Sequence, residues 1–444
     1  MGRRRIVKEV SIPLTRDHVI AVSEQVGDPE WMREKRLAAW DIYEATPLPT
    51  VNDEAWRRTD IRGLDWESAL KVVGDSPNTL DNVPEELYKP LIGEKQGGLM
   101  VFVNGSLVHY EVAAEIKQQG VIFTDLANAA HEHVELLQQF YMTSAVQAED
   151  GKFAALQAAM WTHGVFVYVP KGVQVELPLH SLEYADSNET TFMHILVALD
   201  EDASLTYLHE SASPTGETQM VHIGATELLV DQSANLRYVA LQNWGDNVWN
   251  FGHQRGLIYE GGQLDWVVGE MGTRLSKVFQ TIDLMGDDSW GRISGLFFAH
   301  GRQHIDLDTQ QNHRALRTTS DLLYKGALRD KSRTVWQGMI AVDPGAQKTD
   351  GFQANRNLLL DRTARADSIP GLEIQADDVA CTHASTIGKV DETEIFYLMS
   401  RGIPRIEATK LIVRGFFDPV MQRIPFEEVR ERLGASIEEK LLHA

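Results

Sequence analysis

The chain has 444 residues, with 64 acidic against 42 basic side chains, a formal net charge of −22 and a pI near 5.1. That charge repels polyphosphate and argues against nucleic acid as a partner, while one cysteine rules out a disulfide framework and fits a reducing compartment. The basic start MGRRRIVKEVSIPLT lacks an apolar signal core, and no stretch approaches the roughly 18 apolar residues of a membrane span. The expectation is a soluble, cytoplasmic protein with no membrane partner.

Residues 1–163 read as a helical N-terminal region with a short strand segment. The spacing of Val19, Val22, Trp31, Leu37, Trp40 and Tyr43 suits amphipathic helices, which Pro47 and Pro49 end. The run GGLMVFVNGSLV predicts a strand, and LANAAHEHVELLQQFYMTSAV and GKFAALQAAMWTH predict further helix. His131 and His133 sit two apart on that helix, so their rings point to different sides and do not make the i,i+4 metal pair.

Residues 164–384 change period. Segments such as GVFVYVPKGVQVELPLH, TELLVDQSANLRYVALQNW and RGLIYEGGQLDWVVGEM alternate apolar and polar, the mark of strands with one buried face. The turns DEDAS, DQSAN, EGGQ and GDDSW recur at solenoid-like intervals, with strands starting at Ser204, Asn235, Gln263 and Trp290. Many strands without interleaved helices or Asn-Gly hairpins favour a mainly β fold, the stacked coils of a β-helix, over a sandwich. Its two open ends call for caps, which the helical flanks are placed to supply. Trp249, Trp266, Trp290 and Trp336 read as solenoid core or wall.

Residues 385–444 read as a helical C-terminal domain. DETEIFYLMSRG predicts a helix with an apolar face at Ile395, Phe396, Leu398 and Met399, stopped at Gly402; IPRIEATKLIVRGF predicts a second, from Pro404 to Gly415.

Two constellations carry metal or acid–base chemistry. Cys381 and His383 bring thiol and imidazole two residues apart, on one face if the segment is a strand, but two ligands do not close a tetrahedral site. Asp377 and Asp378 beside them are either second-sphere acceptors or a solvated turn. In AHGRQHIDLDTQQNH, His304, Asp306 and Asp308 alternate onto one face, with His300 and His313 nearby; a hydrogen-bonded ladder between coils competes there with an acid–base site. The lysine-bearing GAQKTDGFQANRN lacks the order of a phosphate loop.

The runs ADDVACTHASTIGKVDETEIFYLMSRGIPRIEATKLIVRGF and TSDLLYKGALRDKSRTVWQGMIAVDPGAQKTDGFQANRNLLL resemble the SufB/SufD family of iron–sulfur cluster assembly proteins. The resemblance implies a right-handed parallel β-helix between helical regions and a non-catalytic scaffold. Its implied partners are a SufB-like subunit at the β-helix end and a SufC-like ABC ATPase at the C-terminal helices. Where SufB-like chains carry Glu-His-Glu, this one has Thr382-His383-Ala384, and no cysteine precedes Cys381, so the pattern is most like the SufD subunit. It further implies that His383, with Cys381 as a less certain neighbour, is a candidate ligand of a transient iron–sulfur cluster shared with the partner. A flavin has been linked to the family's complex, but no residue is assigned to it here, and pairing of the isolated chain with itself stays open. The competing reading is a β-helix polysaccharide lyase or hydrolase using Asp306 and Asp308.

Overall fold

The computed structural model describes residues 12–70, 78–89, 96–187 and 190–442; most of the basic start read from the sequence lies outside them. Helix α1 (Arg16–Val26) stops where Gly27 turns left-handed at φ 78°, and α2 (Glu30–Ala45) starts after Pro29. Val19, Val22, Trp40 and Tyr43 are buried, whereas Trp31 and Leu37 are half-buried. Short helices α3 (Trp66–Ala69), α4 (Ala114–Gln118), α5 (Leu126–Glu132) and α6 (Val134–Phe140) precede α7 (Lys152–Met160), buried along nearly its whole length. Fully buried Arg36 of α2 pairs with Asp28 and donates to the carbonyls of Ala159 and Trp161, so the buried charge is neutralised while it ties α2 to the end of α7.

The strands are β1 (Gly98–Val103), β2 (Ser106–Val112), β3 (Ile122–Asp125), β4 (His163–Val169), β5 (Leu179–Tyr184), β6 (Thr191–Leu199) and β7 (Ser204–Ala212). Next come β8 (Met220–Val230), β9 (Asn235–Asn243), β10 (Val248–Ile258), β11 (Gln263–Glu270), β12 (Leu275–Leu284) and β13 (Trp290–Ala299). The last are β14 (His304–His313), β15 (Thr319–Leu328), β16 (Arg333–Val342), β17 (Asp350–Leu359), β18 (Arg365–Ile374) and β19 (Ala380–Lys389). From β4 on, each strand pairs in parallel with the strand two places later, giving a ten-stranded and a nine-stranded sheet face to face. This is a parallel β-solenoid of about eight turns flanked by helices. The predicted strand at β1 pairs in parallel with β5 and so belongs to the ten-stranded sheet, and β19 carries the ladder on to Lys389.

The corners explain why the coils stack. Ser204, Asn235, Gln263 and Trp290, the strand starts expected from the turn pattern, are register partners one above another. In the turns before them, Asp202, Ser233, Gly261 and Asp288 hold φ between 56° and 63°, a left-handed conformation that turn residues such as Gly and Asp reach at least cost. Each donates its N–H to a carbonyl of the next coil, at Gln232, Glu260, Asp287 and Leu316 respectively. The same conformation at Arg317 and Lys348 continues the ladder to Asp378.

Caps form differently from expectation. At the N-terminal end the antiparallel strands β2 and β3 cover the edges of β1 and β4. The helices instead lie on the flanks: the N-terminal ones on the outer face of the nine-stranded sheet, around Phe153, Phe251 and Trp249, and the C-terminal ones on that of the ten-stranded sheet. Helix α8 (Glu392–Ser400) is capped by Asp391, whose side chain accepts from Thr393 N–H. Helix α9 (Arg405–Met421) does not end at Gly415 as predicted but runs six residues further, and α10 (Glu427–Leu442) follows. Gly415 and Pro419 are exposed, while Val413, Phe417 and Val420 are buried against the solenoid, so packing outweighs helix propensity. At the C-terminal end β18 and β19 have no further strand beside them among the described residues.

Candidate functional site

Cys381 and His383 lie on β19, the last strand of the ten-stranded sheet. Cys381 is in register with Gly351 and His383 with Gln353. Cys381 packs against Ile340 and Val342 of the facing sheet, and buried Gln353 reaches across to donate to the Gly371 carbonyl of β18 at 2.8 Å. This column therefore points into the solenoid, and the alternation expected from sequence puts Cys381, His383 and Ser385 on one inward face. His383 is nonetheless exposed, because no further coil covers it. Among the described residues it has no hydrogen-bond partner.

The surroundings of the pair are apolar and open. On β18, Leu372 and Ile374 share the inward column with Pro370, being the register partners of Ile340 and Val342. Leu372 and Ile374, with Ile387 further along β19, are large apolar side chains left partly in water at this end. Burial pushes the Cys381 thiol up from its ordinary value, and Asp350 adds to this against a hydrogen bond from Gly351, so the site does not activate a free thiolate. Asp377 and Asp378 lie in the exposed corner before β19, where Asp378 accepts from Lys348 N–H and donates its own N–H to Gln347. The described residues hold no group of three or more His, Cys, Asp or Glu arranged to bind a metal ion, so the pair by itself is an incomplete ligand set.

The second constellation is a clamp. His304, Asp306 and Asp308 do share the outer face of β14, but Asp306 is fully buried, bonded at 3.0 Å to the equally buried Lys277 of the adjacent coil and accepting from Thr59 of the N-terminal region. His304 bonds Thr59 at 2.8 Å, and burial pushes its imidazole down to about 3, so it stays neutral. Burial lifts Asp308 to about 6, with Lys277 opposing. His313 points to the interior, bonded to Thr318 and Ser320, and His300 bonds Gln303 in the corner before β14. The ladder reading holds: with Asp306 sealed under Thr59, no glycan reaches two carboxylates here. His131 bonds the Gly27 carbonyl while His133 lies beside Phe166, as two separate structural histidines.

The polar interior was not foreseen. Glu183, fully buried, stands 3.2 Å from both His163 and His222, and His222 continues through Asn250 to Ser276. Beside this chain is a cavity of about 70 Å³, bordered by His209, His222 and Glu270. Burial pushes Glu270 up to about 7 and His209 down to about 3. On the far flank Glu210 is held by His180 and by Arg432 of α10.

The exterior of the C-terminal helices is the other open surface. Only Ile395 of α8 is buried; Phe396 and Tyr397 are 71% and 56% exposed, and Ile406 and Leu411 of α9 stand in water nearby. Below them the start of α9 and Arg329, Leu360 and Asp361 of the solenoid side border an open cleft of about 470 Å³. No helix among the described residues is long and apolar enough to cross a membrane.

Two sheets of in-register parallel coils, flanked by helices and left uncovered at one end, define a β-solenoid protein with a terminal Cys/His pair. Residues 182–416 match the family described as SUF system FeS cluster assembly, SufBD core domain, and residues 20–180 match the SufBD protein N-terminal region. The chain is 32% identical over 429 residues to an iron–sulfur cluster assembly SufBD family protein of Staphylococcus saprophyticus, covering 93% of this chain and 90% of that one. A protein of the same description from Staphylococcus aureus is 30% identical over 426 residues, with the same coverage. The chain belongs to the SufBD family of iron–sulfur cluster assembly proteins.

Proposed function

We propose that the chain is the SufD-type, non-catalytic subunit of a cytoplasmic iron–sulfur assembly complex. In this reading it pairs with a SufB-like subunit through the open end of its solenoid and with a SufC-like ABC ATPase through α8 and the start of α9. The cluster is cargo, held between a partner cysteine and His383 and then handed on, with Cys381 lining the site. The observation that carries the reading is the juxtaposition on β19: an imidazole without a hydrogen-bond partner among the described residues, on the same end of the solenoid as exposed apolar side chains of β18 and β19, on a strand edge that no described strand pairs. An edge of this kind recruits a strand from another chain, and a half-set of ligands is completed by the partner that arrives. Imidazole in place of one thiolate leaves a cluster less tightly held, which suits transfer. The exposed aromatic pair on α8 supports the ATPase contact, since an apolar patch bordered by charge marks a protein interface.

The deciding experiment is reconstitution of the purified complex with iron and sulfide. His383→Ala leaves assembly and ATP hydrolysis intact and lowers the iron and sulfide retained; Cys381→Ser does less. His383→Cys restores loading and slows transfer to an acceptor, a thiolate being harder to displace. Loading and transfer by His383→Ala at the parent's level would refute ligation by His383.

A further inference from the structure

We propose that the solenoid interior holds a proton at Glu270 and that its loss loosens the surrounding coils, a pH-sensitive latch built into the core. The inference stands apart from the reading of His383 as a ligand. Glu270 ends β11, is buried, and forms part of the wall of the 70 Å³ cavity. Its register partners in the same sheet are Gln242 of β9 and Phe297 of β13, neither of which carries charge. One carboxyl oxygen, Oε2, is buried without a hydrogen-bond partner among the described residues. No lysine or arginine among the described residues lines the cavity. The titratable groups that border it or act on Glu270 are His209, His222, Tyr238 and Tyr324, and each is neutral or already engaged. His222 of β8 stands 3.2 Å from Glu183 and gives its Nδ1 hydrogen to Asn250 Oδ1 at 2.7 Å, so its charge is spent on another carboxylate. His209 of β7 has Nδ1 bonded to Ser181 and Nε2 to Ser211, and burial keeps its ring neutral. Tyr324 of β15 donates its O–H to Gln280 Oε1 at 2.6 Å, and burial raises its phenol and that of Tyr238 in β9, so neither ionises. What favours the carboxylate is a hydrogen bond from Ser276 of β12, and burial outweighs it.

A carboxylate in this setting is a buried charge without a counter-ion, which the fold avoids by keeping the proton. The neutral acid needs one acceptor for its O–H, and a cavity of about 70 Å³ exceeds the roughly 10–15 Å³ that a water molecule requires. Burial accordingly lifts Glu270 to about 7. A carboxyl raised in the folded state above its unfolded value of about 4.3 contributes fully below that value and loses its contribution as pH rises toward the folded one. Ionisation leaves two responses, entry of water into the cavity or opening of the coils that wall it. Both fall on the coils from β8 to β12 and not on the terminal ones.

The test compares the full parent chain with Glu270→Gln, which keeps size and hydrogen bonding and has no proton to lose. In denaturant unfolding, the parent's folding equilibrium constant falls relative to the variant's by about fifty- to a hundredfold between about pH 5 and 8. The Glu183 and His222 cluster is present in both chains and cancels. Carbon NMR of the full chain labelled at the glutamate carboxyl follows the group directly. One glutamate signal, absent from Glu270→Gln, titrates near pH 7, while exposed glutamates titrate near about 4.3. That midpoint is read on the parent, so it holds even where the variant folds poorly. Corrected for the intrinsic rate, hydrogen exchange in β11 and β12 quickens above about pH 7 in the parent and not in the variant, with β17 unchanged in both. A difference between the chains that stays flat from about pH 5 to 8, or no glutamate midpoint above about 6, overturns the inference. Exchange that quickens equally in parent and variant overturns it as well.

Discussion

The two ends of the solenoid are built from the same coil and finished in opposite ways. At the N-terminal end β1 is sealed by β2 and β4 by β3, and the first inward column is tied by the Glu183, His163 and His222 cluster. At the C-terminal end no strand among the described residues pairs with the outer edges of β18 and β19. In a parallel strand alternate residues turn their N–H and C=O to opposite sides. Arg365, the first residue of β18, and Gln375, just after its last, donate back to the carbonyls of Ser332 and Val342 at the two ends of β16, so Ala366, Ser368, Leu372 and Ile374 turn their main-chain groups outward. Ala380 of β19 donates back to the carbonyl of Thr349, just before β17, which turns the main-chain groups of Cys381 and His383 toward the open edge likewise. The one proline in β18, Pro370, sits at an outward position where no ladder bond is lost. Sealing with antiparallel strands was available to this chain and was used at one end only. In the proposed assembly the bare end is the surface that receives another chain.

The largest expected effect tests the closed end. Burial alone would push Glu183 up, yet the charge and hydrogen bonds of His222 and His163 outweigh it and hold its carboxyl well below the ordinary range. Burial opposes the charged form of His222 as well, and Glu183 overrides it and raises the imidazole. Removing the anion strands a buried cation, so Glu183→Gln costs about 3–5 kcal/mol in denaturant unfolding. The pH dependence follows from the two directions. The depressed Glu183 contributes stability above about pH 4.3 that is lost as pH falls through its folded value; the raised His222 contributes stability below about pH 6.5 that is lost as pH rises through its own. The parent's advantage over Glu183→Gln is widest between those limits. A difference that does not vary from pH 4 to 9 would mean the cluster is not ionised as described.

That cluster also marks where sequence reading stopped. The corners were legible, because left-handed turn residues before Ser204, Asn235, Gln263 and Trp290 leave a Gly, Asp and Ser signature at each coil. The phase of the strands was not. In LHSLEY of β5 alternation alone assigns Leu182 to the core and Glu183 to water, but the outer face is covered too: Leu182 packs outward with Leu99 and Val101 while Glu183 points in. A strand buried on both faces carries no label for inside. The Cys381 and His383 pair was visible as a spacing and its shared face followed from alternation. Gln353, thirty residues upstream, was invisible as its neighbour until the register was known.

The open edge is tested next. Ile374→Pro removes an outward N–H while the bonds of Arg365 and Gln375 to β16 remain. The isolated chain keeps its unfolding midpoint to within about 1 kcal/mol, and affinity for the SufB-like partner drops on the order of tenfold, the worth of one main-chain bond. Unchanged affinity by calorimetry would show that the partner does not extend this sheet. On the other open surface, Phe396→Ala leaves stability within about 0.5 kcal/mol, as expected of a side chain 71% exposed, and weakens capture of the ATPase.

The smallest effect is the most direct comparison of the ends. Met100 of β1 and Ile387 of β19 face inward on the first and last parallel strands of the same sheet, one fully buried and the other 44% exposed. Truncating Met100 to alanine opens a cavity in a closed core, costing about 2–5 kcal/mol. Truncating Ile387 removes a side chain already half in water, with solvent filling the space, so the cost to the isolated chain stays under about 1 kcal/mol. Bound to its partner the two ends become alike, and Ile387→Ala then costs binding free energy that it did not cost folding. Equal costs for both truncations in the isolated chain would mean that the end is already covered in solution by a second copy. The unfolding midpoint would then rise with protein concentration, as it does when folding is linked to association. A concentration-independent midpoint together with a small Ile387→Ala effect leaves the end bare until a partner arrives.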